Sequence, residues 1–236
     1  MIAGPNGSGK STFKAELPPE LLGVYVNPDD IQKELATTGR LALSAFGITT
    51  SPDELKDFLA KSELLDPIQR DSLLTSLAVD HQLLTLPPAL ADGYLASVLS
   101  DWLRRKLIAA KLSFTFETVM SSKDKVALLD LAKAHGFRTY LYYIATEDPA
   151  INVSRVHNRV VLGGHTVPED KILARYARSL DLLFDAIRKT DRAYLFDNSG
   201  SQPLLLAEIT GGDELILRTE AVPSWLQDAV LSKLPP

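Results

Sequence analysis

The chain has 236 residues, a formal net charge of −5, 45% hydrophobic and 23% charged residues, and no cysteine. That length suits one α/β domain, alone or with an insertion, while the acidic balance argues against a broad electrostatic grip on nucleic acid, and no apolar run is long enough to cross a bilayer. The missing cysteine excludes disulfides and thiolate metal sites, and with no secretory signal visible at the N-terminus the expected location is the cytoplasm.

At the start of the chain, Gly4-Pro5-Asn6-Gly7-Ser8-Gly9-Lys10-Ser11 matches the phosphate-binding pattern G-x-x-x-x-G-K-[ST] without a gap. The glycines open backbone conformations closed to other residues, so that successive N–H groups can converge on phosphate oxygens. Lys10 is expected to reach the terminal phosphates of ATP, Ser11 to offer its hydroxyl to Mg²⁺, and Thr12 to add a further ligand. A plain glycine-rich turn requires neither the lysine nor the serine. Only Met1, Ile2 and Ala3 precede Gly4; strand one is therefore a stub, unless the natural chain begins upstream.

A short helix over 10–16 is stopped by Pro18 and Pro19, and Val24-Tyr25-Val26 reads as a brief buried strand. Asn27 then serves as N-cap of a helix with Pro28 in its first position and Asp30 where a carboxylate closes a capping box. Asp29 is left without a structural duty, at the carboxyl edge of a sheet where ligands bind, and reads as a general base for an acceptor hydroxyl. Residues 39–94 carry leucines 73, 74, 77 and 84 at roughly helical spacing between proline breaks, and read as a helical insertion, either a lid or recognition element for an acceptor or a structural or partner-binding appendage. A long helix is expected over about 89–111.

Phe114-Thr115-Phe116 is a strand that delivers Glu117 and Thr118 to the same edge. Glu117 is a candidate for acceptor hydroxyls, or for the Mg²⁺ shell as the acidic residue ending a Walker B strand. Further on come a helix over 123–135, a strand over 138–145, and a helix opened by Asp148-Pro149 on which Arg155 and Arg159 share a face. Gly163-Gly164-His165 reads as a hinge before a helix over 168–189 that carries Arg175 and Arg178; at least two of the four arginines are expected in a lid that stabilises the charge of phosphoryl transfer. The strand ending Leu195-Phe196-Asp197 leads to Asn198 and Ser199, expected on the adenine side. A β-hairpin and a short helix with Trp225 follow. The expected fold is a three-layer α/β P-loop NTPase type with a mostly parallel sheet, built from 1–38 and 95–236, plus the 39–94 insertion.

Taken in order, Gly4 to Thr12, Asn27-Pro28-Asp29-Asp30, Phe114-Thr115-Phe116-Glu117-Thr118, Gly163-Gly164-His165-Thr166-Val167-Pro168 and Asp197-Asn198-Ser199 resemble the zeta toxin family. Zeta toxins are P-loop kinases of bacterial toxin–antitoxin systems, and the best-known members use ATP to phosphorylate the amino-sugar hydroxyl of UDP-N-acetylglucosamine. The resemblance implies that activity, with Lys10 as the phosphate-loop lysine, Asp29 as the base, Glu117 and Thr118 as substrate contacts, Arg159 and Arg155 as phosphate-binding arginines, and an antitoxin protein as partner. Val119 stands where the family often has a second threonine, and His165 where some relatives carry arginine. The insertion lies outside the family pattern, which leaves the acceptor open between a sugar nucleotide and another small alcohol such as a nucleoside or an antibiotic. A non-enzymatic, ATP-responsive interaction protein is the other reading. An ABC-type ATPase lacks support, because no Leu-Ser-Gly-Gly-Gln signature is present.

Overall fold

The computed structural model describes residues 1–162 and 166–234. In chain order the elements are β1 (Ile2–Ala3), α1 (Lys10–Glu16), α2 (Pro19–Leu22), β2 (Val24–Val26), α3 (Pro28–Thr38), β3 (Arg40–Ala42), α4 (Pro52–Ala60), α5 (Pro67–Ser76), β4 (Ala78–Asp80), β5 (Leu83–Thr85) and α6 (Gly93–Ala109). There follow β6 (Phe114–Thr118), α7 (Lys123–Ala134), β7 (Tyr140–Ala145), α8 (Pro149–Val161), α9 (Glu169–Asp181), α10 (Leu183–Arg188), β8 (Arg192–Asp197), β9 (Leu204–Thr210), β10 (Glu214–Leu217) and α11 (Ser224–Ala229). The expected Gly163-Gly164-His165 hinge lies outside the described residues.

One seven-stranded sheet has the order β10-β9-β8-β7-β1-β6-β2. Its pairs from β8 through β2 are parallel, and the β8–β9–β10 edge is antiparallel. Although β1 is only a two-residue stub, it sits between β6 and β7 with Ile2 and Ala3 fully buried. Burial on both sides is the usual condition of a parallel strand. This is the mostly parallel α/β arrangement that the sequence predicts.

The chain divides into two compact units, Met1–Pro18 with Glu117–Pro236, and Pro19–Phe116. In the first, Phe13 of α1 packs with Ile2 and Ile144 and touches the rings of Tyr142 and Phe196. The C-terminal hairpin β9–β10 pairs in register from Glu214 with Thr210 to Leu217 with Ala207. The predicted helix over 168–189 is two helices, α9 and α10, with Leu182 between them.

In the second unit, α3 begins as its sequence dictates: the Asn27 side chain accepts the Asp29 N–H at 3.0 Å, Pro28 occupies the first turn, and Gly39 closes the helix at φ 67°. Its buried Ile31 and Leu35 form the face that packs on α6. Residues 39–94 lie wholly inside this unit and hold more than helices. Beside α4 and α5, strands β3, β5 and β4 make a three-stranded antiparallel sheet. Leu84, which the spacing groups with helical leucines, lies in β5 and is fully buried, as are Leu41, Leu55, Leu59 and Leu73. Helix α6 starts at Gly93 because Asp92 Oδ1 accepts the Leu95 N–H at 2.8 Å. Arg104 of α6 is 1% exposed, with its guanidinium 5.0 Å from the Phe116 ring centroid and 3.4 Å from Asp101.

Candidate functional site: the phosphate loop

The loop between β1 and α1 leaves almost no room for side chains. Gly4 has φ 144°, and a Cβ there would lie 2.0 Å from the Ile144 carbonyl oxygen; one on Gly9, at φ 94°, would lie 2.1 Å from Asn198 Nδ2. Both demands can be met by glycine alone. Helix α1 then starts directly at Lys10, whose side chain is 9% exposed and whose Nζ donates to the carbonyl oxygens of Gly4 at 2.9 Å and Pro5 at 2.8 Å. The lysine is thus folded across the loop that carries it. Ser8 is fully buried, and its hydroxyl, with Asn6 Oδ1, makes no hydrogen bond among the described residues. Unsatisfied buried polar atoms are rare in native proteins and are expected where a ligand supplies the missing partner. The Ser8 hydroxyl can donate to a phosphate oxygen, whereas Asn6 Oδ1 is an acceptor and cannot be satisfied by one; the hydroxyl and the side-chain-free backbone at Gly4 and Gly9 fit the loop to a bound polyphosphate.

Ser11 connects the loop to the end of β6. Its hydroxyl donates to Glu117 Oε1 at 2.9 Å, and Glu117 is 9% exposed. A buried carboxylate beside the phosphate-loop serine is a donor set for a hard cation, since Mg²⁺ is commonly held by one or two carboxylates together with phosphate oxygens and water. No cluster of three or more His, Asp or Glu side chains suited to a metal occurs among the described residues. Thr118 is occupied differently: its Oγ1 accepts the Met120 N–H at 3.0 Å, while its carbonyl accepts the Gly4 N–H at 3.2 Å. It shapes the turn after β6, where Met120 has φ 54°.

Two asparagines that sequence reasoning did not connect to the loop hold it from outside. Asn152 of α8, fully buried, donates from Nδ2 to the Asn6 carbonyl at 2.6 Å and accepts from the Thr146 hydroxyl. The Thr146 carbonyl in turn accepts from the Tyr176 hydroxyl of α9 at 2.6 Å. Asn198, expected near adenine, donates from Nδ2 to the Ser8 carbonyl at 2.8 Å. Arg155 reaches the same turn, giving Nη1 to the Asn198 carbonyl at 2.7 Å and Nη2 to that of Gly200 at 3.2 Å. Asp197 completes it: Oδ1 accepts the Ser199 N–H at 2.8 Å and Oδ2 accepts the Trp225 indole N–H at 2.9 Å. A signal for Asn152 exists in the sequence, because it lies four residues before buried Val156 on the inward face of an amphipathic helix.

The remaining candidates are more exposed. Thr12 and Arg159 are exposed, Arg175 is half-buried and Arg178 exposed, on α9. Asp29 is exposed on the first turn of α3 in the second unit. The face of α8 turned away from Asn152 and Arg155 lines a groove of about 650 Å³ with Glu169 and Leu173 of α9. Burial raises the Tyr176 phenol to about 12, helped by the negative charges of Glu147, Asp197 and Asp148. Burial likewise raises Tyr143, whose hydroxyl pairs with that of Ser179 at 3.0 Å.

No model of a known protein family matches the chain. A superposition on the AvrRxo1-ORF1:-ORF2 structure with ATP takes in 92% of this chain and 59% of the matched one, at TM-score 0.51 and 17% identity. A structure from the PezAT chromosomal toxin–antitoxin system of Streptococcus pneumoniae superposes at TM-score 0.52 and 14% identity, over 99% of this chain and 79% of that one. The chain shares their fold. At these identities the likeness is one of architecture, a mostly parallel sheet flanked by helices. In sequence, an uncharacterized protein of Haemophilus influenzae is 33% identical over 69 residues, 29% of this chain and 49% of that protein. The chain thus spans about half the length of that curated relative, and less than two thirds of the AvrRxo1 chain. No helix among the described residues is long and apolar enough to cross a membrane.

Proposed function

We propose that the protein is an ATP-dependent kinase that phosphorylates the hydroxyl of a small molecule, with a sugar nucleotide of the UDP-N-acetylglucosamine kind as acceptor, and that it acts as the toxin of a toxin–antitoxin pair. The observation that carries the kinase reading is the Ser11–Glu117 hydrogen bond beneath a loop whose lysine is drawn over its own carbonyls. A serine, a buried carboxylate and a lysine converging on one glycine-rich turn are the parts phosphoryl transfer needs. The toxin reading is supported by the motif resemblance and by a fold shared with a structure from a toxin–antitoxin system.

In this reading Lys10 and the loop amides would hold the phosphates, and Ser11 and Glu117 would hold Mg²⁺, so that Glu117 would serve the metal rather than the acceptor. Bound ATP with Mg²⁺ supplies the transferable phosphoryl group. Asp29 takes the proton from the acceptor hydroxyl, and Arg159 offers guanidinium donors to the phosphates. Thr118 contributes through the turn it shapes.

The deciding experiment incubates the protein with Mg²⁺, labelled ATP and a panel of acceptors: UDP-N-acetylglucosamine, other nucleotide sugars, nucleosides and aminoglycosides. Label in UDP-N-acetylglucosamine supports the full reading. Label in another acceptor keeps the kinase and replaces the substrate. Nucleotide binding with no labelled product rejects the enzyme in favour of an ATP-responsive interaction protein.

A further inference from the structure

Hydrogen bonds that cross long stretches of chain to reach a ligand loop have a consequence for which residues tune binding. Asn152 Nδ2 and Asn198 Nδ2 each donate to a main-chain carbonyl of the phosphate loop, at Asn6 and at Ser8. These carbonyls flank Gly7, where a Cβ would lie 2.5 Å from the Asn152 carbonyl, and Gly9, which presses on Asn198 itself. A loop whose N–H groups are to point inward at an anion must turn its carbonyls outward, and an outward carbonyl in a buried place needs a donor. The two amides are those donors.

We infer that Asn152 and Asn198 are positioning residues that hold the loop in its phosphate-receiving shape, and that Arg155 acts through Asn198 instead of touching phosphate. The inference rests on the reading of the loop as the seat of ATP. Two guanidinium nitrogens of Arg155 are committed to the carbonyls of Asn198 and Gly200, so the arginine sets the turn from which the Asn198 amide reaches Ser8. Arg155, Asn198 and Ser8 form one strut. Tyr176, Thr146, Asn152 and Asn6 form a second, arriving from α9 and α8. The conformation of the loop is thereby set by residues that the phosphate pattern does not include.

The test uses the full chain and the variants Asn198→Ala, Arg155→Ala and their combination, with Asn152→Ser as a probe of the other strut. Two quantities are read: hydrogen exchange of the amides of residues 6–9 without nucleotide, and the dissociation constant for Mg²⁺-ATP by calorimetry. Each of the Asn198 and Arg155 variants should speed loop exchange and raise the dissociation constant about fivefold to tenfold, the worth of one hydrogen bond. The combination should be no worse than Asn198→Ala, because members of one strut are not additive. Exchange of β7 amides should stay as in the parent, which separates loop release from general unfolding. If Asn198→Ala does not fold, Arg155→Ala and Asn152→Ser carry the same comparison.

Weaker ATP binding in Arg155→Ala with parental loop exchange would make Arg155 a phosphate contact and overturn the strut. Parental values throughout would overturn the whole inference. Should the parent bind no Mg²⁺-ATP, the kinase reading falls, and the exchange measurement alone still decides whether the asparagines order the loop.

Discussion

The phosphate loop at residues 4–11 and the turn at residues 27–30 carry the two halves of the proposed transfer, and they are held by different means. The loop is tied to Asn152 and Asn198, partners 146 and 190 residues away in sequence. The turn is tied locally: the Asp29 N–H goes to the side chain of Asn27 and the Ile31 N–H to its carbonyl. Lys10 is 9% exposed, whereas Asp29 is exposed. A group fixed by distant contacts cannot be altered without disturbing what fixes it, while an exposed side chain on a capped first turn can be changed almost alone. Loop and turn should therefore respond differently to substitution.

The strongest test of that contrast is Lys10→Ala. It should lower phosphoryl transfer on the order of 10³-fold, as loss of a preorganised charge partner does. It should also lower the thermal midpoint, because the Gly4 and Pro5 carbonyls lose their shared donor. Transfer from labelled ATP and calorimetric melting read the two effects, and an unchanged midpoint would break the comparison.

Asp29→Asn should behave oppositely, cutting turnover about 10²-fold by removing a general base, with the melting midpoint and the ATP dissociation constant left as in the parent. A fall in midpoint would mean that the turn is as interlocked as the loop. Glu117→Gln sharpens the picture on the metal side. The amide oxygen can still accept from Ser11, so the fold survives, and what goes is a negative charge beside the cation. The Mg²⁺ concentration needed for half-maximal nucleotide binding should rise about tenfold, and an unchanged Mg²⁺ requirement would return Glu117 to the acceptor side.

The smallest effect concerns pH. The Tyr176 phenol is raised from 10 to about 12, mainly by burial. Being raised in the folded state, it contributes stability that is complete below pH 10 and is lost as pH climbs toward 12. The difference in urea stability between the parent and Tyr176→Phe should hence be constant at neutral pH and narrow across that window. A constant difference throughout would show that the phenol is not held neutral by the fold.

What could be read from the sequence was whatever is encoded within a few residues. The α1 bounds, the β2 strand, the Asn27 cap with Pro28, and the parallel order implied by strands alternating with helices all depend on near neighbours or on repeated spacing. The sheet of β3, β5 and β4 was hidden because three-residue strands are too short to show alternation, and Leu84 of β5 falls by chance at a helical interval from the leucines of α5. That the loop, Ser11 and the end of the Glu117 strand meet at one sheet edge was readable from pattern. The role of Asn198 was not, since a polar residue after a strand has many local uses, and nothing near it in sequence points to Ser8. The break at Leu182 likewise has no glycine or proline to announce it.

The indole of Trp225 rests on Asp197, the residue next to Asn198, and is 3% exposed. A fluorophore thus stands one residue from the brace of the proposed nucleotide seat. The other tryptophan, Trp102, belongs to the second unit, so a Trp102→Phe protein would emit from that single reporter. Its emission would test the proposed binding of Mg²⁺-ATP directly, without dye or radioactivity.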